Sequence, residues 1–105
     1  MTMESKKILS FTVTGQHIEK RSGFSDLVRG TKGYLQAVFK CDSEWDGCKK
    51  AAVFYAGENS YPVPVVNGKC DVPDEVAEKI FWKVKLIGEK TGFRILTNAI
   101  GVMQK

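Results

Sequence analysis

The amino-acid sequence predicts an all-β protein, a sandwich of about seven to nine short antiparallel strands with one short helical turn near residues 74–79. Three observations predict it. Apolar and polar residues alternate over short runs, as in Ile8 to Thr14, where Leu9, Phe11 and Val13 fall on one side and Ser10, Thr12 and Thr14 on the other. About eight such runs recur at roughly ten-residue spacing, separated by turns rich in Gly, Pro, Asn and Asp. No stretch carries the apolar period of a long helix.

The chain has 105 residues, enough for one domain, which we place at residues 8–104 behind a flexible segment at residues 1–7. Hydrophobic residues make up 43% and charged residues 27%, a balance ordinary for a soluble globular protein. No apolar run approaches the ~18 residues a membrane-spanning helix needs. The first residues lack the apolar core and small-residue cleavage site of an export signal, so synthesis in the cytoplasm is expected. Net charge is +4 and the isoelectric point near 9.0, which permits binding to phosphate or acidic surfaces without requiring it.

In chain order, Gly15 ends the first strand, and Gln16 to Arg21 reads as a second, short and polar one. Ser22 to Gly33 is a connection with one apolar patch, Phe24, Leu27 and Val28. Tyr34 to Cys41 is a strand with Leu35, Ala37, Phe39 and Cys41 on one face. Trp45-Asp46-Gly47 turns the chain, and Trp45 is placed to tuck its ring over the end of the sandwich. Lys49 to Tyr55 is apolar on both faces and reads as a central strand.

Tyr61 to Val66 carries Pro62 and Pro64, two residues apart, so the missing N–H donors lie on one side and mark an edge strand. If this strand pairs with Lys69 to Val72, a two-residue Asn67-Gly68 loop turns Pro64 toward its partner. A three-residue loop, Val66-Asn67-Gly68, turns both prolines outward and is therefore expected. Two backbone hydrogen bonds between Val66 and Lys69 would contradict it. Pro73-Asp74-Glu75 opens a helical turn, with acids at its positive end and Val76, Ala77 and Ile80 pinning it to the core. Phe81 to Gly88 is the longest strand, with Trp82, Val84 and Leu86 opposite Phe81, Lys83, Lys85 and Ile87. Phe93 to Thr97 returns, and Ala99 to Met103 adds a last strand. The pattern suits an immunoglobulin-like sandwich better than a barrel.

The sequence offers little chemistry. It contains no G-x-S-x-G, phosphate loop or H-E-x-x-H. A catalytic triad or Cys/His pair has only His17 to use. Asp42, Glu44 and Asp46 beside Trp45 read as solvating groups and lack the spacing of a calcium loop. The three cysteines, Cys41, Cys48 and Cys70, show no C-x-x-C spacing; Cys41 and Cys70 read as small core residues, and no metal or cofactor is expected. The strongest partner-binding signal is the hairpin after residue 81. Lys83, Lys85, Lys90 and Arg94 are candidates to line one face beside Phe81 and Phe93, an arrangement able to hold single-stranded nucleic acid through phosphate contacts and stacking. The simpler reading is an amphipathic strand kept soluble by lysine.

Several pieces resemble a family of small domains in tail and baseplate proteins of phages and prophages of Gram-positive bacteria. They are Val13-Thr14-Gly15-Gln16, Tyr34-Leu35-x-Ala37-x-Phe39, Trp45-x-Gly47-x-x-Lys50-x-Ala52-x-Phe54, Cys70-x-Val72-Pro73-x-Glu75-Val76, and Phe81 and Gly88 followed by Arg94-Ile95-x-Thr97-Asn98. The pattern resembles the N-terminal domains of baseplate upper proteins. The resemblance implies a non-enzymatic sandwich that joins other tail or baseplate proteins, with a homo-oligomer allowed and the virion as its destination. Such domains usually precede an extension, whereas this sequence stops at Lys105. The alternative is therefore a free-standing phage-encoded protein directed at nucleic acid or a host nucleoprotein.

Overall fold

The structure, a computed structural model, describes residues 6–105. Among the described residues, nine strands form two sheets: β1 (Lys7–Thr14), β2 (His17–Ser22), β3 (Leu35–Cys41), β4 (Lys49–Ala56), β5 (Asn59–Val65), β6 (Lys69–Asp71), β7 (Phe81–Lys90), β8 (Phe93–Leu96) and β9 (Ile100–Met103). One sheet has the order β2-β1-β3-β6. The other has β5-β4-β7-β8, with β9 also on β7. A 3-10 turn at Ser43–Trp45 and a single-turn helix α1 at Asp74–Ala77 complete the elements. The shortest dimension, 21 Å, is that of two stacked sheets. The all-β sandwich is as expected.

The alternation builds the core. Leu9, Phe11 and Val13 of β1 and Ala37 and Phe39 of β3 point inward. They meet Ala52 and Phe54 of β4 and Trp82, Val84 and Leu86 of β7. Phe11 stacks on Phe39 at 5.1 Å, and Phe54 tilts against Trp82 at 5.7 Å. Trp45 is fully buried, and its indole Nε1 donates to the Gly15 carbonyl at 2.8 Å. Asp42 accepts from the backbone N–H groups of Gly15 and Glu44, so this acid organises the turn rather than solvating it.

One pair, β1–β3, is parallel. β2 folds back along one side of β1, and residues 23–34 then carry the chain past the start of β1 so that β3 enters on its other side. That connection is anchored by buried Leu27 and by Phe24, edge-on to Phe11 at 5.2 Å. Gly23 is required where the connection begins: φ is +95°, and a Cβ there would run into the Ile8 carbonyl.

Four local expectations are corrected. Val66 and Lys69 exchange two backbone hydrogen bonds, of 3.0 and 3.2 Å, across a two-residue Asn67-Gly68 loop with φ of 55° and 77°. The three-residue loop is therefore wrong. Its premise failed because β5 pairs with β4, whereas β6 crosses to the other sheet and pairs with β3. Pro64 has no strand beside it on its donor-less side, so the shorter loop costs no ladder bond. Ile80 does not pin α1; it is 52% exposed, and the helix is held by buried Val76 and Ala77 and by the Gly30 N–H and Gln104 Nε2, which donate to the Ala77 carbonyl. Pro73 stands just outside α1, and its carbonyl accepts from Val76 and Ala77. The flexible segment expected at 1–7 lies outside the described residues for 1–5. Lys6 instead bonds Asp71 at 3.1 Å, and Lys7 opens β1. The domain also extends to Lys105, whose N–H donates to Leu27 and whose carbonyl accepts from Arg29.

β8 and β9 share one edge of β7, opposite Ile87–Lys90 and Phe81–Val84 respectively. Between them, Thr97 Oγ1 replaces a main-chain acceptor for the Leu86 N–H, at 3.0 Å. Asn98 ties this corner to the other sheet, donating to Gln16 and accepting from the Ile18 N–H.

Candidate functional site

The outer face of the β5-β4-β7-β8 sheet is the surface on which the chain brings apolar, aromatic and basic groups together. Residues opposite one another on antiparallel strands share a face. Tyr55 stands opposite Lys83, Val53 opposite Lys85, and Ala51 opposite Ile87. Ala51, Val53, Tyr55 and Ile87 are half-buried and form a floor; Lys83 stands above it, exposed. Lys85 lies partly along the floor, with Nζ 5.7 Å from the centre of the Tyr55 ring.

Phe81 borders this floor. Its ring lies against Gly101 of β9, where an added Cβ would come within 2.7 Å of the ring. The glycine thus lets the ring lie down over β9, and Phe81 stays 41% exposed. Tyr55, Phe81, Lys83 and Lys85 line an open groove of about 590 Å³. A second depression of about 310 Å³, beside Ala51 and Ile87, continues along the same face. Among the described residues there are five ion pairs, and neither Lys83 nor Lys85 belongs to one.

The four basic residues expected to line one face beside Phe81 and Phe93 are divided. Lys83 and Lys85 lie in the groove. Arg94 lies at the far end, opposite Glu89, and pairs with it at 3.1 Å. Lys90 and Phe93 stand opposite each other on the other side of the hairpin, with Lys90 Nζ 5.0 Å from the Phe93 ring. Lys90 also donates to the Asp46 carbonyl at 3.0 Å. The division follows from the two-residue period of a strand: Lys90 is an odd number of residues from Lys83 and Lys85 and takes the opposite face. Sequence reasoning missed Tyr55, Val53 and Gly101. The apolar double face of Lys49 to Tyr55 suggests burial on both sides, whereas one of its faces is the open floor.

Among the described residues, no group of three or more His, Cys, Asp and Glu side chains is placed to hold a metal ion. His17 is exposed and pairs with Glu19 at 3.3 Å. Burial pushes the Cys70 thiol up to about 12 and raises that of Cys41, against the pull of Lys50. No helix among the described residues is long and apolar enough to cross a membrane.

No family model matches this chain. No curated protein matches it either.

Proposed function

We propose that the chain is a non-enzymatic assembly module of a phage or prophage tail or baseplate, working through contacts with other proteins and ending in the virion. The observation that carries this reading is the outer sheet face, a half-buried apolar floor with an aromatic border and with Lys83 and Lys85 outside any ion pair among the described residues, the kind of surface that marks an interaction site. The residues that resemble tail and baseplate domains support it in a different way, because they build the frame. Trp45 packs on Gly88, Ala52 and Phe54 fill the core, and Asn98 ties the sheets. The frame is the shared part of such a module, and the outer face supplies the contact.

The test is mass spectrometry of gradient-purified particles induced from the strain that encodes the chain. The expected result is the chain in fixed ratio to the tail proteins and lost from particles lacking a baseplate. Its absence from intact particles overturns the reading.

A further inference from the structure

We infer that the outer face of the β5-β4-β7-β8 sheet receives an extended acidic segment of a partner protein, with carboxylates on Lys83 and Lys85 and apolar side chains on the Phe81–Val53–Ile87 floor. The inference rests on the docking reading above and deepens it.

Charge complementarity identifies the occupant. Lys83 and Lys85 are same-face neighbours on β7, which lies between β4 and the β8/β9 edge. Same-face side chains repeat every ~6.6 Å along a strand, so an extended partner with acids two residues apart matches the two ammonium groups. Neither lysine lies within ion-pair distance of a carboxylate among the described residues, so both are available to an incoming acid. The half-buried floor at Val53 and Ile87 and the exposed Phe81 ring add apolar contact around them.

The other occupants fit less well. A second copy of the chain across a two-fold axis would set lysines against lysines. A nucleic-acid strand needs a continued track of cations, but Ile87 and the acid Glu89 separate Lys83 and Lys85 from Lys49 along this face, Arg94 is held by Glu89, and Lys90 is turned to Asp46 and Phe93. Strand addition at β5 is blocked, because Pro62 and Pro64 withhold donors along that edge. At the β5 side of this sheet the face, rather than the edge, is therefore the place to bind.

The experiment is an NMR titration of the isotope-labelled chain with three probes: a ten-residue peptide alternating Glu and Val, the same peptide with Lys for Glu, and a ten-nucleotide oligothymidylate. The acidic peptide is expected to shift the amides of residues 51–55 and 81–87. K83E/K85E is expected to weaken it by roughly tenfold or more. K40E, an exposed charge reversal on the other sheet, is expected to leave binding unchanged. Shifts elsewhere, equal binding of the Lys peptide, or equal loss in K40E overturn the inference. Tighter binding of the oligothymidylate at the same amides overturns it in favour of nucleic acid. The particle experiment is independent: a chain present in virions but indifferent to the acidic peptide sinks this inference alone, and the converse sinks the assembly reading alone.

Discussion

Two glycines without backbone strain set opposite constraints. A Cβ on Gly88 would come within 2.7 Å of the Trp45 ring and 3.2 Å of Cys48 Cβ. Trp45 is fully buried and held by its bond to Gly15, so it has nowhere to move. Gly88→Ala is expected to cost about 1–3 kcal/mol in urea denaturation. A Cβ on Gly101 meets the Phe81 ring at the same 2.7 Å, but that ring is partly exposed and can swing out. Gly101→Ala is expected to change stability by less than about 0.5 kcal/mol while lifting Phe81 off β9. Equal losses in the two variants would contradict the packing described. Cys70 sets a pH dependence. Its thiol titrates at about 12 in the fold, against an ordinary value of 9.0. The unfolded chain therefore releases a proton that the folded chain keeps. The stability linked to Cys70 is intact below about pH 9 and is lost as pH rises from there through about 12. Denaturation midpoints between pH 8 and 11 are expected to fall more steeply in the parent than in Cys70→Ala; parallel curves would rule this out.

Among the elements, β5 shows how an edge is protected. Pro62 and Pro64 stand opposite Val53 and Ala51, and the alternate residues Tyr61, Val63 and Val65, with donors intact, turn their N–H groups to β4. Replacing both prolines with Thr restores two donors on the free edge. The expected outcome is concentration-dependent self-association, read as a mass above that of the parent by light scattering. An unchanged mass would mean that something other than the prolines guards the edge. The same strand shows why local reasoning about hairpins can fail. Asn67-Gly68 is a strong two-residue turn signal, and both residues adopt the positive φ that such a turn requires. The turn forms without the two strands pairing along their length. β5 and β6 meet only at the Val66–Lys69 bridge before entering different sheets.

For the whole molecule, the +4 charge is dispersed rather than gathered into a track. With Arg94 and Lys90 engaged, Lys49, Lys83 and Lys85 remain for phosphates on the outer face. The logarithm of the affinity for single-stranded DNA is therefore expected to fall with a slope no steeper than about −2 against the logarithm of salt concentration. A fluorescence-anisotropy titration with a slope of about −4 or beyond would show a wider basic surface. The sequence by itself determined the strands, the inward sets such as Leu9, Phe11 and Val13, the burial of Trp45 and the pairing of Lys83 with Lys85. These follow from a two-residue period and from turn chemistry, both of which act over a few neighbouring residues. Only the tertiary structure decided that β1 and β3 run parallel and that β6 leaves β5. It also decided that Lys90, Phe93 and Arg94 stand apart from the groove and that Tyr55, Val53 and Gly101 complete it. Those outcomes depend on which strands become neighbours and in what register, and that is fixed by packing two whole sheets against each other, over separations in sequence that no local pattern spans.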